Sequence, residues 1–168
     1  MPATYQPLAT TTLGSAAATI QFSNITGTYT DLVFVIQLAS TSTDNIFVRF
    51  NSDTASNYSV TRLAGSGSTA VSDRQTSQTM MTITRNGYPT STMGNTVSIM
   101  QVMDYSNSTT NKTSLIRSND AGNGTDAIVG LYRSTSAITT VTFATTGFGT
   151  SNSISANSTI TMYGVKAG

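Results

Sequence analysis

Apolar and polar residues alternate in short segments along most of this chain, and the segments recur about every ten to fifteen residues with turn-forming residues between them. Alternation of period two is the signature of a strand with one covered face. Ala18–Phe22 is the first clear segment. Asp31–Ala39 places Leu32, Phe34, Ile36 and Leu38 on one face and Val33 and Val35 on the other, which predicts a strand covered on both sides. Ile46, Val48 and Phe50 alternate with Phe47 and Arg49. Tyr58, Val60 and Arg62 then alternate with Ser59, Thr61 and Leu63, beyond a turn at Asn51-Ser52-Asp53. Gly65 to Asp73 is polar and rich in glycine and reads as a long loop. Thr79–Arg85 predicts a strand leading into a hairpin at Asn86-Gly87. Thr96–Tyr105, Thr113–Arg117, Ala127–Tyr132, Ile138–Ala144 and Thr159–Val165 complete the set, with Asp104 placed inside its strand opposite Met103.

About ten strands in one domain over residues 1–168 predict an all-β fold, an antiparallel sandwich of two sheets. Alternation does not fix strand order. A jelly-roll-like arrangement and another Greek-key sandwich lead, with a closed barrel third. Residues 1–13 contain Pro2 and Pro7 and are either an extended attachment arm or the first strand.

Composition strengthens the β reading. The chain has no His, Cys, Trp or Glu, and its lysines are Lys112 and Lys166 alone. Exposed helix faces draw on Glu, Lys and Gln, whereas Thr and Ser here supply about a third of the residues. Threonine suits a pleated surface, and Ser, Asn and Gly supply turns. Net charge is +1 with 9% charged residues, so no nucleic-acid or lipid-surface partner is expected. The longest apolar runs are far short of a membrane span, and Met1–Leu13 lacks the features of a signal peptide.

Without imidazole or thiolate, Ser–His–Asp and Cys–His catalysis and zinc sites built from His and Cys are excluded. The two lysines read as solvated surface residues. Asp31, Asp44, Asp53, Asp73, Asp120 and Asp126 sit among turn residues, which suits Asx-type bonding to the backbone better than an acid–base pair. Asn51-Ser52-Asp53 and the run from Asn119 to Gly124 offer oxygen ligands near turns, but neither concentrates negative charge as a calcium loop does. No catalytic, cofactor or metal residue is therefore assigned. Tyr29, Tyr58, Tyr88, Tyr105 and Tyr132 are the candidates for a sugar-stacking platform, set against half-burial at strand ends.

Thr4-Tyr5-Gln6-Pro7-Leu8-Ala9-Thr10-Thr11-Thr12-Leu13-Gly14 near the start and Ile160-Thr161-Met162-Tyr163-Gly164-Val165-Lys166-Ala167-Gly168 at the end resemble the ends of short β-rich structural proteins of tailed bacteriophages, many of them from aquatic hosts including cyanobacteria. Tyr29-Thr30-Asp31-Leu32-Val33, Arg49-Phe50-Asn51-Ser52-Asp53, Asn57-Tyr58-Ser59, Tyr105-Ser106-Asn107 to Lys112-Thr113, and Gly130-Leu131-Tyr132-Arg133-Ser134 continue the likeness over nearly the whole chain. The resemblance implies a virion component, either capsid decoration or a tail-fibre-like piece, and carries over no catalytic residue.

The expectation that follows is a non-enzymatic decoration, or cement, protein on the capsid exterior. Its partners would be the major capsid protein and copies of itself, as a homotrimer. Tyr5, Pro7 and Leu8 are the candidate attachment residues, Tyr5 and Leu8 as apolar anchors on an extended path. The alternative is a tail-fibre or tail-tip module that binds host glycan through the five tyrosines, and an Asp-pair polysaccharide hydrolase is the third reading.

Overall fold

The computed structural model describes residues 4–41, 45–84, 96–148 and 154–166. Twelve strands are found among them: β1 (Tyr5–Thr12), β2 (Thr19–Phe22), β3 (Asp31–Gln37), β4 (Ile46–Phe50), β5 (Tyr58–Gly65), β6 (Ala70–Gln78), β7 (Met81–Thr82), β8 (Thr96–Met103), β9 (Lys112–Asp120), β10 (Gly124–Tyr132), β11 (Val141–Thr145) and β12 (Thr159–Val165). They form two wholly antiparallel sheets, one of eight strands in the order β1-β12-β3-β8-β9-β10-β5-β6 and one of four in the order β2-β11-β4-β7.

The pairing has a simple logic. β1 pairs with β12, β2 with β11, β3 with β8 and β4 with β7, as the arms of one long hairpin would. Rolling that hairpin brings β12 against β3 and β11 against β4, which completes both sheets. Along the eight strands of that hairpin the chain changes sheet at every step but the one from β4 to β7, and this is jelly-roll topology. Two hairpins are added to it, β5–β6 between β4 and β7, and β9–β10 between β8 and β11. Both join the larger sheet and widen it beyond β8. At about 4.8 Å per strand interval the larger sheet spans roughly 34 Å and the smaller about 14 Å.

The core lies between the sheets. Leu32, Phe34 and Ile36 of β3 face Ile20, Phe22, Val48 and Phe143 of the smaller sheet, and the rings of Phe22, Phe34 and Phe143 pack 5.2–6.4 Å apart. Under the added hairpins the inner layer is Ile116, Ile128, Tyr132, Tyr58 and Val60. Met81 crosses beneath β10, so close that a Cβ on Gly130 would stand 2.3 Å from its sulfur. Glycine at 130 is what lets β7 lie there.

Several expectations change. The polar run read as a loop includes the start of β6, whose residues are mostly exposed on both faces and so show no apolar period. With β1, which occupies most of the proposed arm, β6 raises the strand number to twelve. Asp104 follows β8 in a turn with φ 48°, and its N–H donates to Asp31 Oδ1 at 3.0 Å. Of the second face expected to be covered on β3, Val33 is buried but Val35 only half-buried, because no third layer lies over it. Of the segment at 79–85, only Met81–Thr82 is strand among described residues. Asp44, Arg85, Tyr88 and the Asn86-Gly87 hairpin lie outside the described residues.

Lys112 is the plainest correction, since it is fully buried. Its ammonium donates to the carbonyls of Thr110 (2.7 Å) and Thr135 (3.2 Å), and burial lowers its pKa against the opposing pull of Asp104. The lysine ties the β8–β9 loop to the segment after β10.

At the other end, the Tyr29 ring lies on Gly164 of β12, where a Cβ would fall 2.4 Å from Cγ. The phenol donates to Gln6 Oε1 at 3.0 Å, and Lys166 Nζ stands 5.9 Å from the ring. Gly164→Val should therefore displace the ring and cost about 1–3 kcal/mol. Urea unfolding checks this, and adding Tyr29→Ala should remove most of the extra penalty; equal penalties with and without Tyr29 would show that the ring is not the obstacle.

Candidate interaction surface

The larger sheet has a second face that the smaller sheet does not touch. Residues directly opposite in register share a face, so Val35, Ile99, Arg117, Ala127 and Leu63 form one row across β3, β8, β9, β10 and β5. Val33, Gln101, Leu115, Val129 and Thr61 form the next. Leu63, Val129 and Leu115 are 60%, 50% and 45% exposed, unusual for three large aliphatic side chains on adjacent strands.

A groove of about 640 Å³ runs over β9, β10 and β5, lined by Leu63, Leu115, Arg117, Ala127 and Val129 among others. A smaller depression of about 340 Å³ lies over β12, β3 and β8 and is bounded by Val33, Val35, Tyr163 and Tyr5. Ile99 and Arg117 border both.

Three of the six arginines stand on this face. Arg117 is central and exposed, and among the described residues its guanidinium has no hydrogen-bond or ion-pair partner. Arg74 and Arg133 edge a third hollow beside Val129 and Leu131, and Arg133 donates twice to Ser59 Oγ. Among the described residues no carboxylate lines any of the three hollows. Asp31 is the acid on the rim of the face, and Gln101 Nε2 and the Asp104 N–H already occupy its oxygens. Apolar residues with arginine and without Lys, Asp or Glu are the composition of the centre of a protein–protein interface.

The four described tyrosines of the expected stacking platform fall elsewhere. Tyr58, Tyr105 and Tyr132 are buried in the core, so their ring faces are not open to stack on a sugar. Tyr58 and Tyr132 stack on each other at 4.8 Å, beside Phe50. Phe50 N–H donates to Tyr58 Oη at 3.1 Å, and Tyr132 Oη donates to Asp53 Oδ2 at 3.0 Å. Burial alone would raise the Asp53 pKa, but hydrogen bonds from Asn57, Ala55 and Tyr132 outweigh it and hold the carboxyl below its usual range. Tyr105 Oη donates to the Thr26 carbonyl and accepts from Tyr29 N–H. Tyr29 is half-buried on Gly164, and Tyr88 lies outside the described residues.

The attachment candidates separate. Tyr5 is 56% exposed and reaches the outer face, whereas Leu8 packs against the core and Pro7 marks the bulge in β1. The outer-face residues Leu63, Leu115, Arg117 and Val129 were not singled out by sequence reasoning. Their signal is a shared parity on three adjacent strands, which needs the strand order to be seen.

Asp120 shows what the acidic turn residues do. It accepts from Gly122 N–H at 2.8 Å and from Thr96 Oγ1 at 3.2 Å, closing the β9–β10 turn. Among the described residues no group of three or more carboxylates lies together as a metal ion would need. No protein-family model matches the chain, and no curated protein does.

Proposed function

We propose that this chain is a non-enzymatic structural protein of a tailed-phage particle, a decoration protein that binds the assembled head from outside and stabilises it. The observation that carries the proposal is the open outer face of the widened sheet, apolar and cationic. Such a face serves attachment and offers no reacting groups. The resemblance of the terminal and internal motifs to phage structural proteins points the same way, and Tyr5 extends the attachment surface to the β1 edge.

Self-assembly as a homotrimer belongs to this reading. β1 is guarded as an edge by Pro7 and its bulge; β6 has a register shift near its end, with Ser77 at φ 56°, but from Ala70 to Gln75 it pairs regularly with no proline and one outward arginine. Covering that edge by a neighbouring copy is a common solution in assemblies. Many weak contacts from a trimer on a repeating shell also sum to firm attachment. The glycan-binding alternative has lost three of its five tyrosines to the core, and nothing described favours it.

The test compares particles with and without the protein. The protein should be present in purified particles in amounts comparable with the major capsid protein. Particles lacking it should form normally but release DNA at lower temperature or milder osmotic shock, because ligand binding to the assembled state stabilises by mass action. Full stability combined with failure to adsorb to cells would replace this reading with host recognition. A monomer in sedimentation, both free and on the particle, would remove the trimer.

A further inference from the structure

We infer that the outer face of β8, β9, β10 and β5 docks onto a different protein that presents carboxylates among apolar side chains; resting on the reading above, that partner is the assembled shell. The apolar rows alone do not choose an occupant. The charge pattern does. Arg117 stands near the middle of the face, with Ile99 and Ala127 directly opposite it on the adjoining strands and, among the described residues, no carboxylate in the grooves it borders.

A second copy seated on the same face about a two-fold axis would bring Arg117 toward its own counterpart. Each guanidinium would lose water without gaining an anion, which opposes association. A partner carboxylate at that position would instead receive the planar fork of donors that arginine offers, in surroundings dry enough to strengthen the pair. Arg74 and Arg133 sit toward one margin, where charge steers approach and sets orientation. Leu63, Leu115 and Val129 supply the apolar contact around the central pair.

The chemistry thus specifies a complementary surface, with a carboxylate in an apolar setting at the centre and further acidic groups along one side. It also separates two tasks on one molecule. The outer face takes the foreign partner, and the strand edges remain for copies of this chain.

The experiment strips the protein from phage particles and adds purified protein back. Wild type should rebind, and less of it as salt concentration rises. Arg117→Glu should lower bound protein by roughly tenfold or more, Val129→Asp by a similar factor, and Arg117→Lys by less than Arg117→Glu. Both sites are on an exposed face, so urea midpoints of all three variants should stay close to wild type and exclude misfolding as the cause. Free wild type and Arg117→Glu should sediment alike. If wild type rebinds and both Arg117→Glu and Val129→Asp rebind equally well, the face is not the docking site, while the decoration reading stands. If the substitutions instead break up the free oligomer, the occupant is a second copy and this inference is overturned. If wild type itself does not rebind, the decoration reading falls and takes the named partner with it.

Discussion

Replacing Arg62 with leucine should cost about 3–5 kcal/mol of folding stability, the loss expected when one member of a buried ion group is removed. Arg62 lies on the inner face of β5 with its side chain 5% exposed. It grips Asp73 on β6 with a fork, Nη2 to Oδ2 at 2.7 Å and Nε to Oδ1 at 3.3 Å, and its Nη1 stands 3.7 Å from Oδ1 of the fully buried Asp126 on β10. The pairing across β5 and β6 sets Arg62 directly opposite Asp73. Losing the guanidinium takes the cation away from the buried Asp126 carboxylate and removes the charged tie between β5 and Asp73 of β6. Lysine at 62 should recover only part of the loss, because a point charge cannot serve both carboxylates with the geometry of the fork. Arg62→Leu combined with Asp126→Leu should be more stable than Arg62→Leu alone, since the stranded charge is gone. Urea unfolding of the four proteins decides it. A loss below about 1 kcal/mol for Arg62→Leu, the range of exposed pairs, would show that the group is solvated and not structural.

The same residue shows what could be read without the structure. Alternation correctly put Arg62 on one face with Tyr58 and Val60 and Leu63 on the other, yet it could not tell which face was core. A hydrophobicity rule would have turned Leu63 inward. Tyr58, Val60 and Ala64 share the parity of Arg62 and together bury more apolar surface than Leu63, so the arginine goes inside and recruits carboxylates. The outer face exists because of that choice.

The all-β class and most strands were legible because one covered face imposes a period of two. β6 was not, because an edge strand exposed on both faces has no reason to alternate. Strand order was not legible either, since the two added hairpins are read as ordinary strands until their pairing is known. The motifs that carry the phage resemblance gather in particular places. The two terminal motifs are hydrogen-bonded neighbours, β1 against β12. Arg49-Phe50-Asn51-Ser52-Asp53, Asn57-Tyr58 and Leu131-Tyr132 meet in the cluster of Phe50, Tyr58, Tyr132 and Asp53. These residues build the scaffold, which is why the outer face went unremarked in the sequence.

The three buried phenols give the protein an alkaline limit. Tyr58, Tyr105 and Tyr132 all have pKa values raised above the ordinary 10.0, in each case chiefly because burial disfavours the phenolate. A group whose folded pKa exceeds its unfolded value contributes its full stability below the unfolded value and loses it as pH rises toward the folded one. Stability should therefore hold up to about pH 10 and then fall by as much as about 1.4 kcal/mol per pH unit for each phenol. Lys112 acts in the opposite sense. Its folded pKa is depressed below 10.5, so between the folded value and 10.5 unfolding takes up a proton and stability rises with pH, opposing the phenols only from about pH 10 to 10.5. Above 10.5 that offset is complete and the three phenols act alone. In a domain with only about 5–15 kcal/mol in reserve such a loss is substantial, and for each phenol it ends once pH passes the folded value. Phenolate absorbance in the near ultraviolet, followed together with the β signal in far-ultraviolet circular dichroism, checks this. Part of the phenolate change should appear only as the β signal collapses. Tyr58→Phe should lose about 1 kcal/mol at neutral pH with the hydrogen bond from Phe50 N–H, yet fall less steeply above pH 10, by one phenol's share. If every tyrosine ionises reversibly near pH 10 while the β signal persists, the rings are open to solvent, and the sugar-stacking role denied them here returns.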